Sequence, residues 1–483
     1  KVVLATVEVE RKGGAELISP EEPQTGGTLH MGKEGAFEYQ LWSWQAEMWQ
    51  EDGCSHNALI RISHNMDQLL PELATGWTVS EDGKTYTFNL RRGVQWHDGE
   101  KFTADDVIWT YNALVNPKTG TIWGRQWLGG IEGYQDVAGG KTNTLSGLKK
   151  IDDYTVQVTF VGPAPNSVWY LGYLFIFPKH ILGDVPFEEI KSHPYWTQMR
   201  IGTGPFKFVS YTPKQSIVYV RNDDYWGKKP YIDRIIWHIY DSAETALIAL
   251  EKGEIDTWAG YSAIPINEIE RFNAMPHINV LPGPSGVTQY IMINELNPAF
   301  PWGAYKEYRQ ALYYCVDRET LIDTLWAGDY CELRHGPVLQ DRFVNPNMKT
   351  YEYNPEKGKE LLDSKFFGDL MAAIQAQLGQ CGIKVKPALL DGPSWAEKFN
   401  KNYKTENGSM LGYAAHGIPL FPDDHFVLFM EDMLDEGGRN NIGWHNEEFK
   451  ELVRKLSQTG DPDERLQLYY DIQDILMDEV PYF

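Results

Sequence analysis

The chain has 483 residues, a formal net charge of -23 and ordinary hydrophobic and charged fractions. That length exceeds one typical core, so two lobes or domains are expected. Without clustered Lys and Arg, the acidic balance excludes nucleic acid as a partner, because phosphate binding needs basic groups to displace counterions. The longest apolar patch, around Val168 to Phe177, is broken by Pro178 and is too short to span a bilayer.

An acidic surface suits solubility, a neutral or cationic ligand, and docking on basic loops of a partner. The 17 Trp and 27 Tyr exceed what a core of this size requires. Such side chains stack on sugar faces or line peptide clefts, although more than half are expected to be core. Cys54, Cys315, Cys331 and Cys381 are widely spaced, without CxxC or Cys/His metal spacing. Their pairing stays open. The opening Lys-Val-Val-Leu-Ala has no basic region followed by a cleavage site, as expected of a mature chain after removal of a signal peptide.

In chain order, residues 1–27 read as a flexible leader, Pro- and Gly-rich from residue 10, and the first strand begins at Thr28. From Trp77, TVSEDGKTYTFNL places Asp82-Gly83 between alternating runs, a hairpin signature. Thr103 then caps a helix through Leu114, with Asp106 at its third position. A second hairpin joins Leu148–Ile151 to Thr155–Phe160 through Asp152-Asp153. Strands follow at Phe206–Tyr211 and Ile217–Arg221, then a helix capped by Ser242, stopped at Gly253 and followed by a short strand. Past Leu281-Pro282-Gly283-Pro284, the expected domain crossing, helices dominate: 306–315, 318–326, 355–362, 368–380, 446–457 and 462–479. A strand is predicted at 383–389.

Four blocks carry a resemblance: LLPELATGWTVSEDGKTYTFNLRRGVQWHDGEKFTADDVIWTYNAL (69–114), GTGPFKFVSYTPKQSIVYVRNDDYWGKKPYIDRIIW (202–237), YRQALYYCVDRETLIDTLWAG (308–328) and LMAAIQAQLGQCGIKV (370–385). Together they resemble the family 5 extracellular solute-binding proteins of ABC importers, whose members take oligopeptides, dipeptides, nickel or oligosaccharides. The resemblance implies an α/β, two-lobed periplasmic-binding-protein fold (type II-like) with a hinge between lobes. Its lobe I core would be 28–45 and 166–281, with a subdomain inserted at 46–165. Lobe II would be 282–479, and 480–483 would start the return to lobe I. The chain stops about where that return should begin, and DSKFFGDLM is shorter than in relatives, so residues near 364–368 and after Phe483 are expected to be missing. It further implies a monomeric extracytoplasmic receptor without a cofactor, which docks on permease subunits and captures a small solute by hinge closure. Peripheral or lipid-anchored membrane association stays open.

In peptide-binding relatives an acid preceding a Pro-Asp pair meets the ligand's α-ammonium. The matching stretch here, GYAAHGIPLFPDDHF (412–426), offers Ala414, Ala415 and His416 instead. This gap and the aromatic content favour an oligosaccharide, with an oligopeptide or dipeptide as the alternative. The candidate ligand-binding residues are Trp42, Trp44, Trp258, Tyr261, Tyr290, Asn294, Trp395, Tyr413 and His416, each weighed against plain packing or exposure.

Other classes fit less well. A glycoside hydrolase needs two carboxyls about 5 to 9.5 Å apart, and no strand-end Glu pair emerges. Asp223 and Asp224 read as a turn rather than as paired catalytic acids, and GPSGV (283–287) is not a Gly-x-Ser-x-Gly elbow. His416, His425 and His445 lack metal-ligand spacing, which leaves nickel or another metal chelate a minor alternative. No catalytic or metal-ligating residue is assigned.

Overall fold

The computed structural model describes residues 25–34, 52–63, 68–121, 124, 127–258, 264, 266–278, 280, 287–293, 305–325, 333–336, 338, 343–363, 378–379, 382–383, 411–417, 426 and 444–481. The chain divides into two compact units, one from Glu10–Leu281 and one from Pro282–Phe483.

The first unit holds a five-stranded sheet in the order β11-β1-β10-β9-β8. Its strands are β1 (Thr28–Glu34), β8 (Phe206–Thr212), β9 (Ser216–Arg221), β10 (Arg234–Tyr240) and β11 (Thr257–Trp258). Strand β1 runs parallel to both β10 and β11, whereas β10–β9 and β9–β8 are antiparallel. No element was expected at 234–240, yet it forms a central strand. RIIWHIY is nearly continuous in apolar residues because both of its faces meet protein. Ile235 and Trp237 join Phe206, Ile217 and Tyr219 in a core on one face. On the other, Tyr240 packs beside Trp258 against Leu247, Leu250, Ile255 and Phe272. Of these, Leu247 and Leu250 come from α2 (Ala243–Glu251), and Phe272 comes from α3 (Ile266–Asn273). Helix α2 begins where Ser242 accepts a hydrogen bond from the Thr245 N–H, and the turn after it uses Gly253 at φ 70°.

A second sheet in this unit has the order β4-β5-β7-β6 and is antiparallel throughout. Between β1 and this sheet lie β2 (Ile60–Ile62) and β3 (Leu69–Pro71), paired with each other. Strands β4 (Ala74–Val79) and β5 (Thr85–Leu90) turn at Asp82-Gly83, where the Asp82 carboxylate accepts from the Ser80 hydroxyl and from Lys84 N–H. Strands β6 (Leu148–Asp152) and β7 (Thr155–Thr159) form the other hairpin. Tyr86, Phe88, Leu90, Val156 and Val158 alternate inward and are buried. Against the β6–β7 hairpin packs α1 (Ala104–Val115). Asp106 ties the start of α1 down: its carboxylate accepts from Thr103 N–H at 2.9 Å and from Lys179 N–H at 3.0 Å.

In the second unit, α4 (Lys306–Cys315) packs on α6 (Pro355–Asp363), with α5 (Arg318–Leu325) following α4. Helices α7 (Glu447–Leu456) and α8 (Pro462–Glu479) bury Phe449, Val453, Leu456, Leu468, Ile472 and Leu476 in one core. The end of α8 is held by cations from α4. Arg309 donates to the Glu479 carbonyl at 2.8 Å and to its carboxylate at 3.0 Å, and Lys306 pairs with Asp478 at 2.7 Å.

Two strands, β12 (Val287–Ile293) and β15 (Leu411–Gly417), form an antiparallel ribbon. Short strands β13 (Leu378–Gly379) and β14 (Gly382–Ile383) pair antiparallel. The expected helix 368–380 therefore does not reach its end: Gly379 and Gly382 flank a two-residue connection suited to a hairpin, which overrides the helical apolar period. Residues 368–377 of that helix and 384–389 of the expected strand lie outside the described residues. No helix among the described residues is long and apolar enough to cross a membrane.

Candidate functional site

Because β11, β1 and β10 are parallel, their carboxyl ends emerge at one edge of the sheet. In open α/β sheets ligands collect outside this edge. Two aromatic side chains stand there, Tyr240 closing β10 and Trp258 closing β11. Gly32, directly paired with Trp258, shows how tightly they sit. A Cβ on Gly32 would collide with Ile255 Cδ1 and stand 3.2 Å from Trp258 Cε3 and 3.6 Å from Tyr240 Cε2. Both rings thus lie on one face, against the main chain of β1. Each is half-buried, which leaves part of it at the surface. Burial first, and then the negative charge of Glu254, push the Tyr240 hydroxyl up, so it stays a neutral donor and acceptor.

Two residues earlier on the same face, His30 Nδ1 lies 2.9 Å from His238 Nε2. The ring centroids are 5.2 Å apart with planes 20° from parallel. The two ring nitrogens face one another at hydrogen-bond distance, so one imidazole donates to the other, with the direction set by the tautomer. Burial, and then the neighbouring His30, hold His238 below the ordinary histidine range.

Of the residues expected from sequence, Trp258 falls on this edge. It also packs in the cluster around Leu250, Ile255 and Phe272. Tyr290, Tyr413 and His416 fall on the β12–β15 ribbon of the other unit. Tyr290 pairs with Ala414, Thr288 with His416, and Ile291 with Tyr413. Trp42, Trp44, Tyr261, Asn294 and Trp395 lie outside the described residues. Sequence reasoning missed Tyr240 and Gly32. The signal for Tyr240 was its place at the end of an apolar run before a helix cap, the pattern of a buried parallel strand.

The first unit also contains a closed ring of polar contacts. Asn57 donates to Glu72 at 2.8 Å and accepts from the Thr203 hydroxyl at 3.1 Å. The Thr203 carbonyl accepts from the Trp226 indole at 3.1 Å, and Arg91 lies 4.5 Å over that indole. Arg91 returns to the Glu72 carbonyl at 3.2 Å. Burial, outweighing hydrogen bonds from Asn57 and Ala58 and the charge of Arg61, pushes the Glu72 carboxyl up to about 7. Nearby, His97 bonds to the Gly204 carbonyl, and burial drives its imidazole down to about 4. This ring joins residues 57–91 to the Gly202-Thr203-Gly204 loop before β8, so its role is to hold the two sheets together. Asp223 and Asp224 are surface residues, paired with Arg221 and Lys207 respectively. Among the described residues no group of three or more His, Cys, Asp or Glu could hold a metal ion.

The profile of the bacterial extracellular solute-binding proteins, family 5, middle region, matches residues 68–370, and the chain belongs to that family. It is 28% identical over 458 residues to the dipeptide-binding protein of Escherichia coli, covering 88% of this chain and 82% of that protein. Among solved structures it is similar to the substrate-binding protein CtaP of Listeria monocytogenes, with TM-score 0.78 and 24% identity over 95% of this chain and 92% of that one. It is also similar to the oligopeptide-binding protein AppA of Bacillus subtilis in complex with a nonapeptide, with TM-score 0.74 and 23% identity over 95% and 93% of the two chains. The fold is that of the two-lobed periplasmic binding proteins, as the sequence blocks implied.

Proposed function

We propose that this chain is the extracytoplasmic receptor of an ABC importer and that its solute is a peptide rather than an oligosaccharide. Kinship carries the choice: the Escherichia coli relative, matched over most of both chains, is a dipeptide binder by name. The Tyr240–Trp258 edge offers apolar faces to a peptide side chain. Ala414 and Ala415 supply no acid for the peptide ammonium, so its partner lies elsewhere in the chain. The receptor works as a monomer, captures its solute by hinge closure and presents the closed form to the permease.

Thermal unfolding against panels of short peptides and oligosaccharides tests this. A peptide at about 100 times its Kd should stabilise the protein by roughly 2.7 kcal/mol. A shift with a sugar series and none with peptides would restore the oligosaccharide reading.

A further inference from the structure

We infer that Gly32 and Ile255 are positioning residues that set the Tyr240–Trp258 pair and thereby decide how large an apolar side chain this edge accepts. The inference rests on the peptide-receptor reading and adds to it the residues that tune selectivity. Gly32 is buried in the central strand of the parallel trio, directly opposite Trp258. The Cβ it lacks would occupy the space now filled by the tip of Ile255 and crowd Trp258 Cε3 at 3.2 Å, with Tyr240 Cε2 next at 3.6 Å. Ile255 is 2% exposed and is enclosed by Leu247, Leu250 and Phe272. Its side chain therefore cannot yield freely toward the cluster, and the half-buried indole at the carboxyl end of β11 is the group that moves. A methyl group at position 32 lifts Trp258 by a few tenths of an ångström off the sheet, into the space a ligand side chain would use. Small ligand side chains tolerate that shift and bulky ones do not.

The experiment uses the full chain labelled with 5-fluorotryptophan, with the Trp258 resonance assigned by Trp258→Phe. In Gly32→Ala the Trp258 resonance should move. In Gly32→Ala combined with Ile255→Val, which removes the colliding methyl, it should return toward the wild-type position. Titration with two peptides that differ only in one side chain, alanine or phenylalanine, should show affinity for the phenylalanine peptide falling about tenfold more, the discrimination one misplaced methylene produces. The double variant should recover most of it. An unmoved resonance in Gly32→Ala, or a moved one that Ile255→Val does not restore, overturns the positioning. A moved resonance with both peptides equally affected overturns the selectivity, as would a loss of thermal stability alone. If the wild-type protein binds neither peptide nor any other in the panel, the peptide reading fails, while the resonance still decides whether Gly32 places Trp258.

Discussion

Glu72 and His97, both partly buried in the first unit, respond to pH in opposite directions. Glu72 keeps its proton to about pH 7 in the folded protein but loses it near 4.5 when unfolded. The folded state thus binds more protons between these values, and stability falls as pH rises through that window. Part of the residue reaches the surface, so the cost of ionising it is on the order of 2 kcal/mol rather than the full shift at 1.36 kcal/mol per unit. His97 does the reverse. Its folded value of about 4 lies below the unfolded 6.5, so stability is lost as pH drops from 6.5 toward 4. In the wild-type protein the two slopes offset one another. Glu72→Gln keeps the hydrogen-bonding shape and removes one slope, so urea unfolding should show stability rising with pH between about 4 and 6.5. A variant whose pH profile matches the wild type would disprove the assignment. None of this was legible in the sequence. Glu72 stands in an unremarkable PELAT stretch, and its burial depends on Asn57 and Ala58, which approach it only in the fold.

At the scale of elements, the structure follows the sequence wherever the determining contacts are local. The Asp82-Gly83 turn, the Thr103 and Ser242 helix starts and the 462–479 helix were readable because caps, turns and apolar periods act within a few residues. The β10 strand was not readable, because two-sided burial erases alternation. The 378–379 hairpin strand was missed because two glycines outweighed a helical period. Helix α1 has a cap that does more than cap. Asp106 is buried and serves two main-chain donors, one of them 73 residues away at Lys179. Asp106→Ala should lose the cap and leave the Lys179 N–H without its acceptor, a loss of about 2–3 kcal/mol by urea unfolding. A loss under about 0.5 kcal/mol, the range of an ordinary surface substitution, would show that the carboxylate holds neither. Gly202 is stricter, since a Cβ there would run into the Ser55 carbonyl. Gly202→Ala should fail to give soluble folded protein, and normal expression with an unchanged melting temperature would contradict the packing of this loop.

For the whole molecule the dominant bulk property is a net charge of -23, which repels itself more in the compact state than in the unfolded chain. Raising ionic strength from about 0.01 M to 0.15 M shortens the screening length from about 30 Å to about 8 Å, so the melting temperature should rise. A fall would mean that surface ion pairs such as Lys306–Asp478 and Arg271–Glu251 outweigh the repulsion. The family and the two-lobed fold could be read from the chain, because motif blocks in order preserve turns, caps and core periods that are local in sequence. Trp258 was readable as a strand-end aromatic. Two of its partners were not: Gly32 and Tyr240 meet it only because β1 lies between β10 and β11, strands more than 190 residues further along the chain. Sequence by itself determined the class of protein and most of its elements, since those depend on near neighbours. Only the tertiary structure decided which side chains share the carboxyl edge and which carboxyl is buried, because both depend on parallel pairing and burial between distant segments.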